Sequence, residues 1–364
     1  MPRTQVLVAG GGLTGLSAAV LLAWHGVRCV VVERRAELLA RPTPRTVNPR
    51  TMEVLRQVGL EHVAVRRSDS AAETSAVSPC AAVSIVQDRF EGMLRERAEA
   101  LGATVSFGTE LKSFNASADS VTATVAEDEG EYTIEADYLI AADGADSNTR
   151  RELGLAADDH RCRFGRVFLA GKSASTMPHD SGDIFLQDAH NLAWKLAAVV
   201  KGMAGPALLD TYQTERHPDT VPPPAPVDAM TLGFRYCSEA VIDPGGNVAL
   251  LPSQLRGQPG SRAPHVPVAF FNRPISTLDL YGRDFVALVG SAGAWQHAGE
   301  GLPVRTYRIG THLRSDADLD AAHGITPDGI VLIRPDGFVA WRSPGPVTDA
   351  TEAMAKALRT ILAR

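Results

Sequence analysis

The sequence has 364 residues, which exceeds the size of one ordinary hydrophobic core and predicts at least two domains. Hydrophobic residues make up 45% and charged residues 21%, a globular composition that excludes a disordered chain. The net charge is −6 and the sequence has no cluster of Lys or Arg, so nucleic acid is not an expected partner. The sequence also has no run of eighteen apolar residues, so a membrane is not an expected partner either.

The first elements in chain order form a strand–helix–strand unit. An apolar strand over Gln5–Ala9 leads into a glycine-rich turn, and a helix is predicted over Leu16–His25. Gly26 ends that helix, and a second apolar strand follows over Arg28–Glu33. Downstream, the apolar pattern predicts helices over Arg50–Val58, Gln87–Leu101 and Asp188–Lys201, and strands over Thr104–Phe107, Val121–Val125, Tyr132–Ala136, Tyr138–Ala142 and Gly165–Ala170.

Two stretches rich in Pro or Gly divide the rest of the chain. Thr220–Val227 contains four prolines, so it is predicted to be a stiff, non-helical linker, and Leu251–Pro264 marks a second boundary. Alternating α/β patterns then resume, with strands over Phe285–Val289, Val304–Arg308, Ile330–Ile333 and Phe338–Trp341 and a last helix over Thr348–Leu362. We expect one domain over 1–219, a helical or linker segment over 220–262 and a C-terminal domain over 263–364.

The turn after the first strand matches the pattern Gly-x-Gly-x-x-Gly at Gly10, Gly12 and Gly15. The first glycine permits the tight turn, the second lets a pyrophosphate approach the backbone, and the third lets helix and strand pack closely. Free N–H groups at the helix start attract the phosphate, and Glu33, at the end of the second strand, can accept hydrogen bonds from ribose hydroxyls. The alternative is a glycine-rich surface turn beside a surface glutamate.

A second strand carries a polar residue at the same kind of edge. The apolar run Tyr138–Ala142 leads into Asp143-Gly144, and the carboxyl ends of strands are where open α/β folds bind ligands. An ordinary Asp-Gly turn is the alternative. Four arginines follow the first unit, each of which could assist a pyrophosphate or remain a solvated charge: Arg34, Arg35, Arg45 and Arg50.

The other reactive residues show no site pattern. The histidines lack metal-ligand spacing, so surface or capping roles are expected and no metal is predicted. Gly-x-Ser-x-Gly is absent, which disfavours a hydrolase. The four cysteines form no CxxC pair and the N-terminus has no secretory cleavage pattern, so reduced thiols and a cytoplasmic location are expected.

Together the motifs resemble those of the FAD-dependent aromatic hydroxylases of the p-hydroxybenzoate hydroxylase type. The resemblance rests on Gly10–Gly15 with Glu33, and on residues 44–53, 87–91, 142–147, 165–171, 187–196 and 209–216. The tail, over 276–282 and 334–342, is similar to the thioredoxin-like C-terminal domain of the polyketide-tailoring branch. Residues 232–236 most resemble the anthracycline hydroxylases of the aklavinone hydroxylase kind. The tail lacks CxxC, which favours a packing or oligomer role over a redox role.

The resemblance implies an α/β fold with a Rossmann-like FAD-binding domain of the GR2 type and a thioredoxin-like C-terminal domain. It implies that FAD and NADPH are the cofactors and that a flavin C4a-hydroperoxide passes oxygen from O₂ to a ring of a polycyclic aromatic polyketide. A monomer or homodimer is expected. No general base is assigned, because in this family the phenol is activated largely from the middle domain.

The resemblance also assigns roles at the cofactor. Glu33 would bind the adenosine ribose, Arg45 and Gln87 would contact the ribityl–pyrophosphate region, and Asp143 would lie near the phosphates. The helix over Asp188–Lys201 would direct its N-terminus at the pyrimidine edge of the flavin. The cofactor-binding residues predicted in all are Gly10, Gly12, Leu13, Thr14, Gly15, Glu33, Arg34, Arg45, Gln87, Asp143, Gly144 and Lys172.

The sequence departs from the family at four places. Lys172 stands where the family has Asp, the flavin loop over Met177–Leu186 has one glycine, and Ala156–Phe164, nine residues, replaces the middle substrate domain and can only be a loop. Val63–Val86 and Pro218–Ala229 are also short. Three interpretations stay open: a degenerate relative, an engineered minimal version, or a sequence from which segments have been omitted. Two alternative functions stay open: a non-catalytic binding or scaffold protein of the same pathway, and a flavin enzyme that has lost oxygen transfer and keeps only NAD(P)H oxidase activity.

Overall fold

The computed structural model describes residues 2–38, 44–67, 70–71, 76–156, 159–174, 182–217, 226–246 and 249–364. The chain divides into two compact units. The first comprises Met1–Ala72, Ala82–Lys201 and Arg216–Asp219, and the second comprises Glu73–Ala81, Gly202–Glu215 and Thr220–Arg364. The domain boundaries predicted from the sequence stay a prediction. Among the described residues, no helix has both the length and the apolar character needed to cross a membrane.

The first unit combines helices with a large mixed sheet. Its strands are β1 (Arg3–Ala9), β2 (Cys29–Glu33), β3 (Pro44–Val47), β4 (Ser70–Ala71), β5 (Val83–Val86), β6 (Thr104–Phe107), β7 (Glu110–Ala116), β8 (Val121–Glu127), β9 (Gly130–Ala141), β10 (Arg163–Phe164) and β11 (Val167–Leu169). Its helices are α1 (Leu13–Trp24), α2 (Pro49–Gln57), α3 (Glu61–Arg67), α4 (Gln87–Ala100), α5 (Asn148–Glu152) and α6 (Gly182–Val200).

The order of strands in the large sheet brings five carboxyl ends to one edge. The strands follow the order β10-β11-β9-β1-β2-β6, with β7 and β8 extending from β9. β1 lies between β2 and β9 and runs parallel to both, and β11 runs parallel to β9. β6 also runs parallel to β2, so the segments that follow β1, β2, β6, β9 and β11 lie at the same edge. A separate small sheet has the order β3-β5-β4.

Burial explains the length of β9. Its first three residues are exposed, then buried residues alternate with half-buried ones while the strand pairs with β8, whereas Tyr138–Ala141 is buried throughout between β1 and β11. Parallel strands with both faces covered read as continuous apolar runs. The sequence prediction of two strands, Tyr132–Ala136 and Tyr138–Ala142, was wrong because the change of pattern marks a change of neighbours and not a break in the strand.

Further differences concern a strand that the pattern did not indicate and the starts of two helices. β7 was missed, because it is mostly exposed and lacks an apolar face. Helix α6 begins at Gly182 and not at Asp188, so Asp188 lies inside the helix. The proline linker lies largely outside the described residues, but its last residue, Val227, begins a helix.

The second unit contains a four-stranded mixed sheet and a small three-stranded sheet. Its elements are α7 (Thr211–Arg216, whose last residue belongs to the first unit), α8 (Val227–Leu232), β12 (Pro267–Phe270), β13 (Arg273–Ser276), β14 (Phe285–Val289), β15 (Val304–Arg308), β16 (Leu313–Arg314), α9 (Leu319–Ala322), β17 (Ile330–Ile333), β18 (Val339–Ser343) and α10 (Ala350–Ile361). The order is β15-β14-β17-β18, with β14 parallel to β15 and antiparallel to β17. The predicted strands Phe285–Val289, Val304–Arg308 and Ile330–Ile333 have the predicted bounds.

A buried ion cluster joins distant segments of the second unit. Arg334 donates to both carboxylate oxygens of Glu215, at 2.6 and 2.9 Å, and also pairs with Asp336. Ser238 donates to Glu215 over 2.6 Å. Burying an ion pair is favourable only when further hydrogen bonds satisfy its oxygens, as they do here.

Candidate functional site

The glycines of the first turn have different surroundings. Gly10 adopts a φ of +109°, and a Cβ on it would lie 2.3 Å from the oxygen of Ala142. A Cβ on Gly15 would lie 1.8 Å from the oxygen of Gly10. At Gly12 the nearest atom would be Glu91 Oε1, at 3.8 Å. The fold itself therefore requires glycine at 10 and 15, whereas at 12 a side chain would extend into open space.

Helix α1 begins directly at this turn without a side-chain cap. Gly12 is its N-cap residue, its first turn contains no acidic residue, and no side chain accepts a hydrogen bond from its first amides among the described residues. Uncapped N–H groups and the helix dipole together favour an anion.

Glu33 closes one side of the turn. It is buried at the end of β2, and its two carboxylate oxygens accept hydrogen bonds from the backbone N–H groups of Gly11, at 2.6 Å, and Arg35, at 3.0 Å. These bonds fix the orientation of the carboxylate, which retains lone pairs for further donors.

Asp143 organises the loop after β9. One of its oxygens accepts from Ser147 Oγ at 2.6 Å and Ser173 Oγ at 2.9 Å, and the other accepts from Thr149 N and Oγ1 at 3.0 Å. Its hydrogen bonds therefore hold the loop, the start of α5 and the segment after β11 together.

Arg150 also stabilises the contact between α5 and the segment after β11. It is buried and donates to the backbone oxygens of Ser173 and Asp159, at 3.2 and 3.1 Å. This arginine thereby links α5 to the segment after β11 and to the short stretch where the middle domain was predicted to be missing.

A chain of hydrogen bonds links Arg45, Gln87 and Glu91. Arg45 donates to Gln87 Oε1 from Nη2 at 3.1 Å, and Gln87 donates to Glu91 Oε1 at 2.8 Å. Gln87 and Glu91 are one turn apart on α4, so the helix itself aligns them.

Lys172 lies in a 3-10 turn over Gly171–Ser173, directly after β11. Asp188, inside α6, accepts from Gly171 N at 3.2 Å and pairs with Arg216 at 2.8 Å. Burial disfavours its charged form, but Arg216 and His217 outweigh this and lower the pKa of Asp188. The predicted start of this helix at Asp188 was wrong, since the helix begins at Gly182 and the buried Asp188 anchors the turn; that its N-terminus faces the flavin stays a prediction.

These residues surround a cleft of about 620 Å³ in the first unit. The predicted residues that line it are Gly10, Gly12, Leu13, Thr14, Glu33, Arg34, Arg45, Gln87, Asp143, Gly144 and Lys172. Gly15 does not line the cleft and lies behind it, against Gly10. Arg50 is also outside, buried in an ion pair with Glu53 at 3.0 Å.

Sequence reasoning missed the residues that support the cleft. Ser147, Thr149, Arg150, Ser173 and Glu91 were not predicted, although all contact predicted residues or their loops. Ser147 caps α5 through the backbone N–H of Arg150, a spacing typical of helix starts that was available as a signal. Nothing in the sequence pointed to Ser173, whose contacts cross between strands.

Two other predictions concern histidines and loop residues. His190 was expected at the surface but is buried and bonded to Gln57 at 2.9 Å. No group of metal-binding side chains occurs among the described residues. Of the predicted flavin loop over Met177–Leu186, Met177–Ser181 and the side chains of Asp183 and Ile184 lie outside the described residues, whereas the backbone from Gly182 onwards is not a loop but the start of α6.

Comparison with known families finds two matches. The model of an FAD binding domain matches residues 3–161 and 159–220, and the model of the C-terminal domain of aromatic-ring hydroxylases matches residues 256–364. The first model is thus matched in two segments that meet at 159–161.

Individual proteins are similar over the whole chain. A 4-methyl-5-nitrocatechol 5-monooxygenase from Burkholderia sp is 30% identical, with 100% of this chain and 98% of the relative covered over 539 positions. An aklavinone 12-hydroxylase from Streptomyces purpurascens is 30% identical, with 100% and 99% covered. The crystal structure of aklavinone-11 hydroxylase with FAD and aklavinone superimposes with a TM-score of 0.89, at 28% identity and full coverage of both chains.

Proposed function

We propose that this chain, which belongs to the FAD-binding aromatic-ring hydroxylases, hydroxylates an aromatic polyketide with FAD as cofactor and with NAD(P)H and O₂ as co-substrates. The observation that carries the proposal is the cleft in the first unit, where a glycine turn, an uncapped helix start and a buried carboxylate meet. The substrate class follows from the relatives, among which are aklavinone hydroxylases.

The residues of the cleft fit the ADP half of FAD. Because Gly12 has no Cβ, the space beside it is open to a ligand. The first amides of α1 have no side-chain acceptor among the described residues. A pyrophosphate in this space would therefore contact bare backbone N–H groups. Glu33 would bind the ribose hydroxyls, because its carboxylate is held in place by two backbone donors.

Other residues of the chain would hold the cofactor further along the cleft. Arg45 and Gln87 present donor groups on the side of α4, whereas Gly144 N already donates to Ser173 Oγ and so supports the loop and not the cofactor directly. When bound, FAD would supply the redox chemistry by which NAD(P)H and O₂ hydroxylate an electron-rich ring, with the second oxygen atom released as water. The protein supplies binding, orientation and electrostatics.

We also infer that the middle substrate region of the family is absent from this chain. The family model breaks at 159–161, inside the nine-residue stretch that was interpreted as a loop. In addition, the alignment with the nitrocatechol monooxygenase spans 539 positions, against 364 residues here, so stretches of that relative have no counterpart. The aromatic substrate would then have fewer protein contacts than in a complete relative.

The proposal is tested with purified protein in three measurements. An absorbance spectrum between 350 and 500 nm should show bound flavin, NADPH oxidation should accelerate when an aromatic polyketide such as aklavinone is added, and mass spectrometry should find a product with one added oxygen atom. A colourless protein that takes up no FAD would contradict the proposal. Bound FAD without substrate-dependent NADPH oxidation would favour the binding or scaffold role instead.

A further inference from the structure

We propose that Lys172 binds the diphosphate of the cofactor, an inference that rests on the proposed function and adds to it a determinant particular to this chain. In the family that the sequence resembles, an aspartate at this position accepts a hydrogen bond from the ribityl chain. A lysine ammonium group can only donate. At position 172 this chain therefore has a cation where the family has a hydrogen-bond acceptor.

The backbone of Lys172 is held on both sides by residues of the phosphate-binding edge. Before it, Gly171 has a φ of +62°, and a Cβ there would lie 2.4 Å from Oγ1 of Thr14, in the first turn of α1. After it, Ser173 Oγ donates to Asp143 at 2.9 Å and accepts from Gly144 N at 2.9 Å. Lys172 thus lies between the start of α1 and the loop after β9.

Among the described residues, no carboxylate pairs with the charge of Lys172. The side chain is exposed and lines the cleft, and no ion pair or hydrogen bond of its ammonium group occurs within the described part of the chain. By contrast, Lys112, which also lines the cleft, pairs with Glu110 at 2.7 Å.

The neighbouring carboxylate offers Lys172 little. Asp143 already accepts four hydrogen bonds from Ser147, Thr149 and Ser173, which occupy its oxygens. An ammonium–phosphate contact is charge-assisted and stronger than a bond to a neutral hydroxyl. A diphosphate bound at the start of α1 is therefore the best partner for this cation.

Replacing Lys172 by the aspartate of the family separates two accounts. If Lys172 binds the diphosphate, Lys172→Asp places a negative charge beside the phosphates and weakens the binding of FAD. If instead the lysine only removes the acceptor for the ribityl chain and makes no contact of its own, the same change restores that acceptor and FAD binds more tightly. The two accounts predict opposite signs for one substitution.

The experiment measures dissociation constants of FAD, ADP, adenosine and riboflavin for the apoprotein and its variants. We expect Lys172→Met to weaken FAD and ADP about tenfold and Lys172→Asp to weaken them further, with adenosine unchanged. Lys172→Arg should stay within about threefold of the wild type, and the salt dependence of ADP binding should diminish in Lys172→Met. Lys356→Asp, on the exposed face of α10, makes the same charge change as a control and should leave all four constants unchanged.

The outcomes are distinguishable. Tighter or equal FAD binding by Lys172→Asp, or an unchanged ADP constant in Lys172→Met, would overturn the inference while leaving the proposed function intact. A wild-type protein that binds neither FAD nor ADP would overturn the proposed function itself. Melting temperatures and far-UV circular dichroism identify a variant that has lost its fold, in which case Lys172→Gln replaces it in the test.

Discussion

Gly12 and Gly15 belong to the same turn, yet a methyl group added to each meets different surroundings. At Gly15 it would lie 1.8 Å from a backbone oxygen, whereas at Gly12 its nearest neighbour would be 3.8 Å away. We expect Gly15→Ala to destabilise the protein by about 1–3 kcal/mol, the usual cost of overpacking. Gly12→Ala should keep the wild-type stability and weaken FAD at least about tenfold, because the methyl group occupies the approach of the pyrophosphate.

Urea unfolding and FAD titration check both substitutions. Gly102→Ala serves as a control for the glycine-to-alanine change, since a Cβ at Gly102 meets nothing within 4 Å. Its φ of +96° still costs some stability, but FAD affinity should not change. Normal FAD binding by Gly12→Ala would contradict the role given to Gly12.

His323 makes stability depend on pH. It is fully buried in the second unit, its Nδ1 contacts the oxygen of Leu319 at 2.9 Å, and its Nε2 has no hydrogen-bond partner among the described residues. Burial lowers the pKa of His323 below its ordinary value near 6.5. The unfolded chain therefore binds a proton more readily, so the stabilising effect is complete above about pH 6.5 and is lost as the pH falls.

We expect the free energy of unfolding to fall between pH 6.5 and 5 with a contribution from His323 of up to about 1.4 kcal/mol per pH unit. His323→Asn keeps a donor near Leu319 but does not titrate, so this slope should decrease. His297→Gln, at an exposed position, should leave the slope as it is. An equal slope in wild type and His323→Asn would refute the assignment.

At the level of elements, Asp188 connects α6 to the turn before Lys172 and to Arg216, which belongs to the same unit. Asp188→Asn removes the negative charge from a buried pair, so we expect a loss of about 3 kcal/mol in unfolding free energy. The pKa of Asp188 is lowered in the folded protein, so the stabilisation is present above about pH 4 and is lost in acid.

Denaturant unfolding at neutral pH measures this loss. Glu99→Gln provides the matched control, because the Arg95–Glu99 pair at 3.0 Å is exposed and should contribute less than about 0.5 kcal/mol. A loss in Asp188→Asn no larger than the loss in Glu99→Gln would contradict the structural role of Asp188.

Some strands and helices could be predicted from the apolar pattern of the sequence and others could not. β1, α1 and β2 were predicted within a few residues, because an apolar run, a glycine turn and a small-residue helix are all local signals. β7 was missed, since an edge strand with exposed residues has no such signal. β9 was divided in two, since its neighbours change along its length.

For the whole molecule, ligand binding should raise stability by mass action. FAD at one hundred times its dissociation constant should increase the free energy of unfolding by about 2.7 kcal/mol, because it binds only the folded state. ADP at the same multiple of its own constant should do the same, whereas riboflavin at the FAD concentration should do much less. Differential scanning fluorimetry with these three ligands checks this, and a riboflavin effect equal to that of FAD would count against a cleft that recognises the ADP half.

The sequence by itself determined the family, the α/β fold class and the principal cleft residues, because the glycine turn, Glu33 and Asp143 belong to contiguous motifs whose geometry is local. Only the tertiary structure decided that Ser173 and Arg150 secure the loop of Asp143, that Asp188 is a buried anchor, and that Lys172 lies beside the start of α1. These contacts join residues that are far apart in the chain. The order and parallel direction of β11, β9 and β1 bring them together, and no local pattern encodes which strand becomes the neighbour of which.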